Sequence, residues 1–275
     1  MTPLNPAKTS VPIIPSPWAS AWGEDAYGYW QAFEVKGIRQ VMRWIPAGEF
    51  IQGSPEGELE RSEGEVQRQV TLTQGFWLAD TACTQALWQA VMGDKPSRFK
   101  GDQLPVEQVS WKDCQAFLNV LKALLPEFDA QFPTEAQWEY ACRAGTSTPF
   151  NWGSAELNSK LANFNGAIPY ADNPESEHRE TTVDVYGSSC GFHPNNWGLY
   201  QMHGNVLEWC AEPAHDPIHD PTGPSEGTGR IVRGGSWFFG GNWLRSAYRG
   251  SSEPGLRGGS LGLRVAAGET HQPAG

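Results

Sequence analysis

The sequence predicts an α+β domain with few regular elements and much ordered loop. Strand-like alternation occupies the first third, and three capped helical segments follow between residues 84 and 145. A turn-rich stretch, 146–229, then separates these from a second strand pattern near the C-terminus. With 39 % hydrophobic residues, 19 % charged residues and 13 Trp in 275 residues, the chain can build a core and is not disordered.

The elements come in the following order. Residues 1–37 form an N-terminal arm and lead-in segment, of which 1–17 is Pro-rich. "VMRWIPAGEFIQGS" (41–54) alternates like a strand and ends in a turn, "PEGELERSEGEVQRQ" (55–69) reads as a charged surface loop, and "VTLTQGFWLAD" (70–80) returns to alternation. Thr84 caps "QALWQAVM", which Gly93 terminates. Ser110 and Asp113 have capping-box spacing, and Trp111, Cys114, Leu118, Leu121 and Leu125 follow at helical intervals. Thr134 and Gln137 repeat that box; Trp138, Ala141 and Cys142 share a face, and Gly145 stops the helix. Strand pattern resumes at Arg230–Val232 and at 261–267, giving one domain over 38–267 and a tail, 268–275.

Charge and cysteine usage bound the function. A net charge of −11 argues against nucleic acid, because binding phosphates requires clustered Lys and Arg. No apolar run is long enough for membrane insertion, and the start lacks the pattern of a signal peptide, so the expected location is cytoplasmic. The five cysteines form no CxxC pair and are expected to be reduced thiols.

Five phrases, "RWIPAGEFIQGS", "QALWQAVMGDKPSRFKGDQLPVEQVSW", "FPTEAQWEYACRAGT", "NNWGLYQMHGNVLEWC" and "RIVRGGSW…LRSAYR…LGLRVA", together resemble the formylglycine-generating-enzyme (sulfatase-modifying-factor) family. The resemblance implies a modified C-type lectin fold, with short strands supporting long ordered loops. It also implies two copper-binding cysteines after the RGGS-like strand. Those positions hold Phe239 and Leu244, and neither side chain can ligate a soft metal or act as a nucleophile. The expectation is therefore no catalytic residue and no required cofactor. A second enzymatic branch holds iron with three histidines on a preceding helix bundle, which this sequence does not show. His215 and His219 are four residues apart, but Pro217 and Pro221 break helical geometry between and after them.

"GNVLEW" resembles the family's structural calcium loop, which implies backbone carbonyls at Gly204 and Val206 and a carboxylate at Glu208 as ligands. Gln201 stands where the family has a better ligand. The competing reading has Asn205 and Glu208 bracing the loop by hydrogen bonds alone.

The segment 237–260 then needs an explanation without catalysis. Aromatic anchors in a Ser/Gly background are the chemistry of a binding surface, offering large contact area at low entropic cost. The spacing also resembles the variable region of retroelement-diversified proteins, which use the same fold. The resemblance implies a skeleton of Arg233–Trp237, Arg245–Ala247, Arg249, Pro254, Arg257 and Leu261–Val265. Ligand-facing positions would be Phe238, Phe239, Gly240, Gly241, Asn242, Gly250, Ser251, Ser252, Gly255, Leu256, Gly258, Gly259 and Ser260, with Trp243 and Tyr248 assignable to either set. The expected function is a non-enzymatic variable protein that binds an unknown protein or other ligand through its C-terminal loops. The alternatives are a family enzyme with relocated chemistry around Cys210 or His203, and a regulatory or scaffolding domain.

Overall fold

A computed structural model describes residues 12–214 and 229–268. The His215–His219 pair lies outside the described residues.

Two strands precede the segment read as the domain start. β1 (Ala21–Asp25) and β2 (Gly28–Val35) form a hairpin, and β2 pairs antiparallel with β3 (Ile38–Ile45), Val35 opposite Ile38. Residue 38 falls at the start of β3, so a boundary there would separate β2 from the strand it pairs with. The aromatic-rich alternation of "GYWQAFEV" supplies the β2 strand, with Phe33 and Val35 reaching the core. β4 (Gly48–Gln52) pairs with β5 (Arg68–Leu72) as a separate two-stranded ribbon, and β6 (Phe76–Ala79) returns to β3.

The three helices follow their caps. α1 (Gln85–Met92) is capped by the Thr84 side chain and ends at Gly93, φ 88°. α2 (Trp111–Leu124) and α3 (Glu135–Arg143) each begin with both hydrogen bonds of a capping box. The left-handed residue that ends α3 is Ala144, φ 43°, followed by Gly145 at φ 88°.

The remaining strands are short: β7 (Ala130–Gln131), β8 (Leu207–Pro213), β9 (Arg230–Arg233), β10 (Gly250–Ser252), β11 (Leu261–Gly262) and β12 (Ala266–Ala267). They complete a six-stranded sheet, β1-β2-β3-β6-β12-β7, and a four-stranded sheet, β10-β9-β8-β11, whose only parallel pair is β8 with β11 among the described residues. β6 is buried on both faces. Trp77 and Ala79 join the core with α1 and α2, while Phe76 and Leu78 join Trp138, Ala141 and Cys142 of α3. A third cluster, Phe150, Leu157, Ala162, Phe164, Tyr170 and Leu244, lies in the loop region and supports the C-terminal segment. No helix among the described residues is long and apolar enough to cross a membrane.

The charged stretch 55–69 is more than surface. Glu65 is 1 % exposed, and its carboxylate takes two hydrogen bonds from Arg245, at 2.6 and 2.7 Å. An acid in a glycine-dotted loop reads as solvated until its distant partner is known.

Candidate binding surface

The ring-bearing segment is held by buried arginines. Arg233, at the end of β9, is bonded to Glu139 at 2.6 Å and donates to the backbone carbonyls of Ser246, Ala247 and Tyr248. Arg245 spans Glu58 and Glu65, and Arg249 forms a two-bond fork with Glu135. Between these anchors the chain turns sharply at Gly234 (φ 95°) and Gly235 (φ 69°). A Cβ on Gly235 would lie 2.7 Å from Leu244 and 2.8 Å from the Trp243 carbonyl, so the turn requires glycine twice over. A 3-10 turn, Gly241–Leu244, closes the loop.

This geometry lines up six rings in succession, each touching the next: Phe99, Trp237, Phe238, Phe239, Trp243 and Tyr248. Phe238 is 56 % exposed; Phe239, Asn242, Trp243 and Tyr248 are half-buried, and Trp237 is sealed beneath them. The loop 163–180 runs along this ribbon. Asn165 N–H donates to the Phe239 carbonyl, Gly241 N–H donates to the Ile168 carbonyl, and His178 stacks on Trp237. Ile168, 54 % exposed, packs against Gly240 and extends the apolar face. Ile168, Phe99 and His178 carry no local sequence signal for this face, because each meets it only through residues from a distant stretch of the chain.

Gly240 and Gly241 are not ligand-facing. Both are buried; a Cβ would meet Ile168 at 2.5 Å from Gly240 and the Tyr170 backbone at 2.6 Å from Gly241. They are spacers that let the loop lie on 168–170. The rest of the anticipated set divides. Ser251, Gly255 and Leu256 are exposed, and Gly250 and Ser252 sit in β10, half-buried. Among the described residues, 251–256 make no hydrogen bond or ring contact to Phe238, Phe239 or Trp243; Pro254 is tied instead to α2 through Lys112 N–H. Gly258, Gly259 and Ser260 are half-buried and offer their carbonyls to Gln108, Trp237 and Leu207 respectively.

The thiols and imidazole that relocated chemistry would need are sealed. Burial holds the Cys210 thiol well above its ordinary range and pushes Cys142 up to about 12. His203 is 3 % exposed, and burial lowers it to about 4. Its Nδ1 lies 2.6 Å from the Leu244 carbonyl, which can only accept, so Nδ1 carries the proton and Nε2 accepts from Asn151 N–H. Cys142 Sγ, 3.6 Å from that Nε2, therefore faces a neutral ring, not an imidazolium that would stabilise a thiolate.

The residues do not fit a calcium ion bound through Glu208. Both its carboxylate oxygens are bonded to Arg264, and one also accepts from Trp138 Nε1 at 2.7 Å. Gly204 O accepts from Val206 N–H, and Asn205 bridges to Asn163 and Val183. Gln201 Oε1 is a buried acceptor with no protein partner, but it is neutral. A dication at Glu208 would have to displace the Arg264 guanidinium from that carboxylate.

A lectin-type scaffold bearing an exposed ring ribbon on clamped C-terminal loops defines the class, the modified C-type lectin fold of the formylglycine-generating-enzyme type. The chain belongs to the sulfatase-modifying factor enzyme 1-like domain family, whose pattern matches residues 32–268. It is 34 % identical over 195 residues to the formylglycine-generating enzyme of Streptomyces coelicolor, an alignment covering 66 % of this chain and 58 % of that protein. The chain thus spans less than two thirds of that relative. Among solved structures it resembles Treponema denticola variable protein 1, with TM-score 0.69 and 25 % identity over 86 % of this chain and 98 % of that one. It also resembles PvdO from Pseudomonas aeruginosa, with TM-score 0.71 and 25 % identity over 91 % and 98 %.

Proposed function

We propose that this chain is a non-enzymatic binding protein that receives a protein ligand on the ribbon from Trp237 to Tyr248, and that the residues filling the ribbon are the ones that vary between copies of the gene. The observation that carries the reading is the contiguous, partly exposed line of rings; of the two positions where the family resemblance implies thiols, Phe239 lies in that line and Leu244 is buried. Large rings on a clamped loop give contact area without much ordering cost on binding. The likeness to a variable protein of the same fold supports it.

The alternative is an enzyme of the family with relocated chemistry, favoured by the identity to the Streptomyces enzyme. Among the described residues, Cys190 is the one thiol not fully buried. Incubating the copper-loaded chain with a cysteine-bearing sulfatase peptide, read by mass spectrometry, decides between the two. The proposal expects unchanged peptide; conversion of the cysteine to an aldehyde would overturn it.

A further inference from the structure

Away from the ring ribbon, β4 is paired on one side only, with β5, in a register that runs unbroken from Gly48–Leu72 to Gln52–Arg68. The direction of its backbone groups follows from the residues just beyond it. Ser54 N–H donates inward to the Glu65 carbonyl, whereas Gly53 turns outward to α3. Gly53 N–H donates to Glu139 Oε1 at 2.9 Å, and its carbonyl accepts from Arg143 at 2.8 Å. Backbone groups alternate in direction along an antiparallel strand. Gly48, Phe50 and Gln52 therefore hold the ladder to β5, and the N–H and C=O groups of Glu49 and Ile51 point outward like those of Gly53. Glu139 and Arg143 satisfy Gly53, but no described residue outside β5 bonds the backbone of Glu49 or Ile51.

These four open groups face a cavity of about 320 Å³, large enough for a specific ligand. It is lined by residues 49–51 and by none of β5, so it lies along the free edge; its other walls are the 145–147 segment and the rings of Tyr140 and Trp197. Tyr140 touches Phe50 at 5.2 Å between ring centroids and meets Trp197 edge-on at 4.8 Å. Phe50 packs on the core with them, while Ile51, on the opposite face of the strand, is 48 % exposed. Arg143 also lines the cavity but brings no free cation: its guanidinium is spent on Glu139 and on the Gly53 and Thr148 carbonyls.

We propose that this slot binds an extended segment of a partner protein, added to β4 as an antiparallel strand with an aromatic or large aliphatic residue at its centre. Residues opposite Glu49 and Ile51 complete the four open backbone bonds. The residue between them, opposite Phe50, turns its side chain to the Phe50 face, where Tyr140 and Trp197 receive it. Backbone pairing supplies the affinity and the ring corner selects the central side chain. Trp197 and the 145–147 segment flank the edge, so one extended segment enters where the broad edge of a second folded sheet, including another copy of β4, would collide with them. The site shares no residue with the ribbon and stands whether or not the ribbon binds a ligand.

Three variants and one measurement on the unaltered chain test it. Ile51→Pro removes an outward N–H without costing β4 a bond to β5, Ile51→Ala keeps that N–H, and Ser147→Trp fills the slot from an exposed position. A random peptide display library is selected on the immobilised full chain. It is expected to yield peptides with a central aromatic or large aliphatic residue that bind Ile51→Ala within about twofold of wild type. The same peptides should bind Ile51→Pro about tenfold more weakly, the loss of one backbone hydrogen bond that leaves a carbonyl unpaired, and Ser147→Trp not at all. Both disruptive variants should keep the wild-type melting curve. In the unaltered chain, hydrogen exchange read by NMR should show the Glu49 and Ile51 amides slowed at least about tenfold by a bound peptide. A library that yields no peptide sensitive to Ile51→Pro and Ser147→Trp overturns the proposal, as does a bound peptide that leaves those two amides exchanging as in the free chain. Where a variant loses the fold, the exchange result decides alone.

Discussion

Trp243 lies flat on Phe239, ring centroids 4.1 Å apart and planes 10° from parallel. Phe238, one residue earlier, stands edge-on to Phe239 at 81° and projects into solvent. The stacked pair is thus part of the scaffold, and Phe238 is its free contact. Phe238→Ala should change the unfolding free energy by no more than about 0.5 kcal/mol, while Trp243→Ala costs about 2 kcal/mol. Urea denaturation measures both; equal costs would show that Phe238 is not a free ring.

Gly241→Ala places a methyl 2.6 Å from Tyr170 N and 2.8 Å from Leu157, within the third core cluster. It should destabilise by about 1–3 kcal/mol. Gly255→Ala meets nothing within 4 Å and should be neutral or stabilising by a few tenths of a kcal/mol, about the gain from restricting the unfolded chain. If the ribbon varies between copies of the gene, replacements should fall at Phe238 and Asn242 and spare Gly240 and Gly241, which sequencing a population would show.

Arg245→Ala leaves Glu58 and Glu65 as uncompensated carboxylates in the interior, and should cost about 3–5 kcal/mol. Arg257→Ala breaks an ion pair to Asp113 at 2.7 Å, but Arg257's side chain is 63 % exposed and the melting midpoint should hardly move. Thermal melts of the two variants side by side make the comparison.

Asp80 accepts from Gln40 at 2.9 Å and from the Tyr186 hydroxyl at 3.3 Å, and burial raises its carboxyl to about 7. Its folded value lies above the unfolded one, so the folded state binds the extra proton. The stability this contributes is complete below the ordinary carboxylate value of about 4 and is lost as pH rises through about 7. Asp80→Asn cannot titrate. The difference in unfolding free energy between wild type and variant should therefore change by a few kcal/mol across that window, at about 1.4 kcal/mol for each pH unit. A difference that is flat with pH would contradict the assignment.

Because Arg264 occupies Glu208, adding calcium or a chelator should leave the melting temperature within about 1 °C, where 100-fold excess over Kd of a true ligand would add about 2.7 kcal/mol. A calcium-dependent rise would overturn this and show that the chain binds the ion.

The helices were legible because their signals are local. Thr84, Ser110 and Thr134 each stand next to the first turn they cap, and the apolar residues repeat within fourteen positions. The two-residue strands β7, β11 and β12 were not, since only pairing with distant chain defines them. The same holds for the interior charges. Glu139 with Arg233 and Glu65 with Arg245 are separated by 94 and 180 positions, and each acid alone looks like a solvated side chain. At the candidate binding surface the rings of 237–243 were readable from composition. The burial of Gly240 and Gly241, and the presence of Ile168, depend on how two loops meet.

The arginines that pin both ends of the 234–249 segment have a consequence for how this protein changes over generations. Position of the loop is set by contacts at its roots, to glutamates on α3 and in the 58–65 region, and not by the side chains at its crest. If the crest binds a ligand, replacing an exposed residue there such as Phe238 would alter recognition while leaving the folding of the whole nearly untouched. Novelty in specificity and constancy of architecture would then be separable, and selection could act on the first without endangering the second.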